Sequence, residues 1–305
     1  MNSTTRLDRN VNRRDFLKAG VAAVVGAVAT GAFPVPALAR SNTMKRICLF
    51  RYDTEGAWAA EDMTGFLERV LEVHRAHEIP VTLFCTGGAM EHREQEFITF
   101  FQEVKDDPLF DIQDHSYSHI GIGYEAGKSI EVLRADYERS FAVHERLLGR
   151  RPIGVSLCGT SGADGEPVSG FDATEKSRAE FEMLVDLGVR MINTFYTGIE
   201  ESEQFMSYAA LGHPEVCGFP SGHSDTSWLL RKKFGDPMEH IPTEIRKTAE
   251  RGHHLPLMMH DWVAWNHSQD RKLSIVIDII DHVRKCGFEL RTHRQCYEDI
   301  SLWQE

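Results

Sequence analysis

Short apolar runs and longer amphipathic stretches alternate along most of this chain, and that alternation constrains the fold more than any other feature. Strand-like runs fall at 45–52, 80–85, 109–113, 153–157, 189–195, 255–259 and 288–292. Helical patterns lie between them, at 60–77, 91–105, 129–147, 173–186, 237–251 and 272–285. The stretch 129–147 carries the stripe of a helix with one buried face: Ile130, Leu133, Tyr137, Phe141, His144 and Leu147. Strands that alternate with helices are joined by crossovers and build a mainly parallel sheet. Seven strand candidates predict an α/β fold whose sheet curls into a barrel.

In such sheets chemistry gathers beyond the C-terminal ends of the strands. Asp53 and Glu55 follow the first strand, and Thr86-Gly87-Gly88 follows the second. His115 and His119 follow the third, and His260-Asp261-Trp262 follows the strand at 255–259. The two imidazoles stand four positions apart, so one helical turn would aim both at one point. Two histidines and a carboxylate suit a catalytic metal that keeps a position open for water. A second carboxylate beside them is what a base would need to deprotonate that water. A His-x-x-x-His pair alone is commonplace in a chain with fifteen histidines; the convergence of several strand ends on one rim gives it weight. Two further stretches read as rim loops: 159–172, rich in Gly, Ser and Asp, and 219–228, which holds Asp225 and Trp228. The Trp228 ring suits either a wall for a sugar or the core. A backbone N–H after Pro152 or Cys158 would suit an oxyanion site.

The first 39 residues stand apart. Arg13-Arg14-Asp15-Phe16-Leu17-Lys18 is a twin-arginine signature, a weakly apolar Ala/Val/Gly run follows, and Ala37-Leu38-Ala39 supplies a cleavage site. The apolar run is too short and too rich in Gly and Ala for a stable membrane anchor. Residues 1–39 are therefore expected to be a signal peptide read by the twin-arginine export machinery, and 40–305 a single catalytic domain in the periplasm or outside the cell. Cleavage removes five Lys/Arg and two Asp/Glu and takes the formal charge from −12 to −15. A chain so acidic is a poor partner for nucleic acid or an anionic membrane. The six cysteines contain no C-x-x-C pair, which excludes a zinc ribbon or a thioredoxin motif. Cys48 and Cys85 read as small buried hydrophobes; an oxidising compartment would permit a Cys286–Cys296 disulfide, and the sequence leaves that pairing open.

Taken in order, these segments resemble the polysaccharide deacetylase family, carbohydrate esterase family 4. Residues 45–56 are similar to its first strand and acidic motif, and 79–87 to its "A-T-F-F-V-x-G" strand. His115-Ser116-Tyr117-Ser118-His119 matches its His-Ser/Thr-x-x-His motif. Gly149-Arg150-Arg151-Pro152-Ile153-Gly154 resembles the lead into its third motif. Residues 255–261 resemble its "L-x-H" strand, and 286–290 its closing strand. The resemblance implies a distorted (β/α) barrel of about seven parallel strands and metal-dependent removal of acetyl groups from a carbohydrate. It implies Asp53 as base, Glu55, His115 and His119 as ligands of one divalent ion, Zn²⁺ first, and His260 as acid. Asp225, Trp228 and Trp262 would face the carbohydrate. Two departures stand out. The usual Asp-Asp is here Asp53-Thr54-Glu55, and the R-x-P of many members is replaced by Ser156-Leu157-Cys158. Those departures leave open a hydrolase of a non-sugar amide and an inactive glycan-binding relative. Two histidines and a carboxylate also suit an Fe(II) oxygenase, against which the strand–helix alternation argues.

Overall fold

The structure, a computed structural model, describes residues 45–56, 62–123, 126–158, 177–194, 204–222, 224–225, 236–267 and 271–304. The expected signal peptide, the loop 159–172 and Trp228 lie outside the described residues.

Among the described residues seven strands run parallel in one continuous path. β1 (Ile47–Thr54) pairs with β2 (Val81–Cys85), β2 with β3 (Phe110–Asp114), and β3 with β4 (Gly154–Ser156). β4 pairs with β5 (Met191–Thr194), and β5 with β7 (His213–Pro220), while β6 (Met206–Tyr208) lies antiparallel outside β7. At the other end β8 (Leu255–His260) pairs with β1, and the short β9 (Glu289–Arg291) pairs with the start of β1 along its opposite edge. A single parallel bridge, Ser224 to Met258, links the segment after β7 to β8. The sheet therefore curls as the distorted barrel the sequence implies, with an open seam spanned by that bridge.

Helices cover the outside: α1 (Phe66–Ala76), α2 (Gly87–His92), α3 (Glu94–Val104), α4 (Ile130–Leu148), α5 (Arg178–Asp186), α6 (Pro237–Arg251), α7 (Asp261–His267), α8 (Ser274–Lys285) and α9 (His293–Glu298). Among the described residues no helix is long and apolar enough to cross a membrane. The stretch read as one helix at 91–105 is broken at Arg93, where α2 ends and α3 begins.

β1 is buried on both faces, as a central parallel strand must be. Cys48, Phe50 and Tyr52 pack outward with Phe66, Leu67 and Val70 of α1. Ile47 and Leu49 point the other way, to a cluster with Met191, Cys217, Phe219, Cys296 and Trp303. By the period of two, Arg51 and Asp53 continue that interior face toward the C-terminal end of the strand. The interior thus changes from apolar to charged as it approaches the rim. All six cysteines are free. The Cys286–Cys296 pairing left open by the sequence is not made: Cys296 faces the interior cluster and Cys286 packs against the outer one. Cys48 and Cys85 are fully buried, as anticipated.

Candidate active site

β1 ends at Thr54, and the carboxylates on either side of that residue reach one imidazole. Glu55 Oε1 lies 3.2 Å from His115 Nε2 and 2.9 Å from His119 Nε2. Asp53 Oδ2 lies 3.9 Å from the same His115 Nε2. His260 Nε2 approaches Glu55 Oε1 at 3.7 Å, and Trp262 Nε1 donates to Glu55 Oε2 at 3.4 Å. Asp53, Glu55, His115, His119, His260 and Trp262 are thus brought together at the C-terminal ends of β1, β3 and β8. His115 is sealed in at 2% side-chain exposure, while His119 stands at 36%, so the cluster opens to solvent on the His119 side.

The two histidines do not sit on a helical turn. Residues 115–119 form a loop, with Ser116 at φ 60° and His119 at φ 55°. Two left-handed residues other than glycine are costly and need external support. Three elements give it. Asp114 accepts from Ser116 N at 2.7 Å and from the Ser140 hydroxyl. Asp136 of α4 accepts from Tyr117 N at 2.7 Å and from Ser118 N at 3.2 Å. The first residues of α2 donate to the loop, Gly87 N to Ser116 O and Gly88 N to Tyr117 O. A Cβ on Gly87 would meet the Tyr117 ring at 2.8 Å, so this approach requires glycine. These acceptors claim the amides that a helix would have used, which is why the four-residue spacing fails as a helix signal here.

The donor set fits a divalent ion. His115 Nδ1 stands 2.8 Å from the Ser156 carbonyl, which takes its proton and leaves Nε2 to ligate. With Glu55 and His119 that makes the two-histidine, one-carboxylate set of a catalytic site. Burial opposes the charge of Glu55, but His260, His115 and His119 outweigh it and hold its carboxyl well below the usual range. Burial likewise disfavours a charged His115, yet its neighbours, Cys158 and Asp53 foremost, hold its imidazole well above the usual range. A cation would replace such protons. A second grouping sets Cys158 within 4.8 Å of ligand atoms of His115 and His119. Its sulfur, however, lies on the Nδ1 side of His115, 3.5 Å from that nitrogen and 3.2 Å from the His115 carbonyl. Burial raises the thiol's pKa. The thiol thus sits against the loop backbone, while Glu55 Oε1 stands beside Nε2 of both histidines.

His260 ends β8 against Asp225. The Asp225 carboxylate accepts from His260 N at 2.7 Å and pairs with Nδ1 at 2.8 Å. Burial alone would lower the imidazole pKa, but the charges of Asp225 and Glu55 carry it to about 10. Asp225 is fully buried, so it lies behind His260 rather than on an open surface. The sequence offered no cue for this pairing. It depends on the Ser224–Met258 bridge, which sets the residue after Ser224 beside the end of β8. Asp261, placed on the rim by the sequence, was given no role there. It accepts from Glu55 N at 3.0 Å and Gly56 N at 3.2 Å, and burial lifts its pKa to about 6. The N–H of Ile153, after Pro152, donates to Gln113 Oε1 at 3.1 Å and is closed to an oxyanion.

No protein-family model and no curated protein matches the sequence. Solved structures match its fold. One from Mycobacterium smegmatis, assigned by name to the polysaccharide deacetylases, aligns over 91% of this chain and 95% of its own at 14% identity and a TM-score of 0.63. The peptidoglycan deacetylase PdaC of Bacillus subtilis covers 85% of this chain and 93% of its own at 13% identity, with a TM-score of 0.48. A CE4 family pseudoenzyme from Bacillus anthracis covers 84% and 66%, also at 13% and 0.48. The chain has the polysaccharide deacetylase-like α/β fold, the class that the M. smegmatis likeness defines. At 14% identity that likeness reaches the fold alone.

Proposed function

We propose that this chain is a metal-dependent carbohydrate deacetylase of the polysaccharide deacetylase family, exported by the twin-arginine route and acting on amide-linked acetyl groups in preference to esters. The observation that carries the reading is the position of Glu55 Oε1 between His115 and His119, flanked by Asp53 and His260. Glu55, His115 and His119 would hold one divalent ion, with Zn²⁺ suited to the set. Such an ion, when bound, polarises an acyl carbonyl and acidifies water.

The chain's own residues supply the proton transfers. Asp53 has one oxygen tied to Arg51 at 3.0 Å and the other turned to the cluster. Burial raises its pKa, but Arg51, His115 and His260 bring the carboxyl below the usual value. Ionised, it can take a proton from attacking water at Oδ2. His260 carries the opposite role, giving a proton from Nε2 to the departing nitrogen. Asp225 at Nδ1 fixes the ring and stabilises its charged form. Trp262, half-buried beside His260 at a ring separation of 5.7 Å, offers a face for a sugar ring.

The test is acetate release by the Zn²⁺-loaded full chain from acetylated oligosaccharides and cell-wall fragments. Metal-dependent release supports the reading. Glycan binding without release would leave an inactive binding relative. Turnover confined to non-sugar amides would move the assignment to that class.

A further inference from the structure

The geometry points to Arg51 as the positioning residue for Asp53, an inference that rests on the role proposed above for that carboxylate. Arg51 lies two residues before Asp53 on β1, so both side chains project into the barrel. Its Nε donates to Asp53 Oδ1 at 3.0 Å, and its Nη2 reaches across the barrel to Ser221 Oγ at 2.9 Å. The guanidinium also stands 5.9 Å from the centre of the Phe84 ring. Side-chain exposures of 3% and 6% leave almost no solvent to replace either partner.

Two anchors and a ring fix the guanidinium plane, and the plane fixes Asp53. With Oδ1 committed to Nε, Oδ2 is the oxygen that faces His115. Ser156-Leu157-Cys158, which packs against His115, carries no guanidinium, and Arg51 supplies from the carboxylate's own strand the fixed cation held against Asp53. A buried pair of this kind adds little stability over an apolar pair of similar volume. Its effect is orientation, and loss of orientation by about 1 Å costs on the order of 10²-fold in rate.

The experiment compares Arg51→Met, Arg51→Lys, Ser221→Ala and Asp53→Asn, each as Zn²⁺-loaded full chain, alone and with Arg51→Met combined with Asp53→Asn. Metal per chain, thermal midpoint, kcat and KM are measured with an acetylated chito-oligosaccharide, and apo crystals of Arg51→Met report the Asp53 rotamer. The inference expects one Zn²⁺ per chain throughout and KM within about twofold. It expects kcat to fall on the order of 10²-fold in Arg51→Met, with partial recovery in Arg51→Lys and a smaller fall in Ser221→Ala. Asp53 Oδ2 should turn away from His115, and Arg51→Met should add almost nothing in the Asp53→Asn background. Should Arg51→Met fail to fold, Arg51→Lys and Ser221→Ala carry the comparison through the same kcat–KM split. Parental kcat in Arg51→Met or in both milder variants, or an equal loss with and without Asp53, overturns the inference. An Asp53→Asn variant with parental kcat overturns the base assignment itself, and is told apart because that variant leaves Arg51 intact.

Discussion

His260 Nδ1 and Asp225 Oδ1 stand 2.8 Å apart, and the same carboxylate holds the His260 backbone N–H at 2.7 Å. Ring and main chain are thus fixed by one buried group, and Nε2 is presented toward Glu55. His260→Ala should lower kcat by about 10²–10⁴-fold, the range for losing an acid–base group, with metal content intact. The loss should be smaller for an aryl acetate, whose leaving group needs less protonation. Asp225→Asn should act through the ring. Asp225 raises the imidazole pKa, so its removal lowers that pKa and depletes the protonated acid. The alkaline limb of the kcat profile should then move to lower pH. An unmoved limb, or equal losses for amide and aryl ester in His260→Ala, would make the pair structural.

The ligand assignment makes a separate claim about sulfur. His115→Ala and His119→Ala should each abolish stoichiometric Zn²⁺ binding, measured by metal analysis after dialysis against a chelator. Cys158→Ser should keep one ion per chain, because its thiol contacts the His115 carbonyl and Nδ1 rather than Nε2. Metal lost from Cys158→Ser and kept by Glu55→Gln would transfer the site to the His-His-Cys grouping.

The two carboxylates should separate by assay. Asp53→Asn should retain the ion and lose turnover, since Asp53 Oδ2 is 3.9 Å from His115 Nε2 while Glu55 Oε1 is closer to both imidazoles. Glu55→Gln should lose most of the metal. The reverse pattern in a metal titration would exchange the roles.

The loop that carries the histidines should be sensitive at a distance from any ligand. Asp136 on α4 accepts the amides of Tyr117 and Ser118, between His115 and His119. Asp136→Ala frees a backbone that holds His119 at φ 55°, and metal affinity should fall by about 10–100-fold, as for loss of an outer partner. Competition with a chromophoric chelator measures it. Unchanged affinity would mean that Asp114 and α2 suffice.

The strand–helix alternation disclosed the barrel because most parallel strands are buried on both faces and read as apolar runs. β7 escaped that reading, since His213, Pro214, Gly218 and Pro220 break the run. α7 was hidden because it starts directly at the end of β8, with no separating turn residues. At the site, the chemistry-bearing residues were visible by type and by their place at strand ends. Their supporting contacts were not. Asp136, Asp225 and Asp261 act on backbone amides far away in sequence, and an acidic residue that accepts such bonds looks the same as one on a solvated surface. The four-residue His spacing misled for the same reason, since the amides are captured by Asp114 and Asp136.

His74 gives a prediction about stability. It is fully buried in α1, with Nδ1 2.9 Å from the Ile79 carbonyl and Nε2 3.2 Å from the Tyr52 hydroxyl. Burial lowers its pKa to about 4 from an ordinary 6.5. The folded-state value is depressed, so between pH 6.5 and 4 the unfolded chain binds a proton that the folded chain does not. The contribution is fully present above about pH 6.5 and shrinks as pH falls toward 4. Linkage puts the loss between pH 7 and 5 at about 2 kcal/mol. A His74→Leu variant carries no titrating group there. Its urea-unfolding free energy should drop less than the parent's between those two pH values by about that amount, even if it is less stable at pH 7. Equal drops in parent and variant would show that His74 titrates normally in the folded protein, and that the acid sensitivity lies elsewhere.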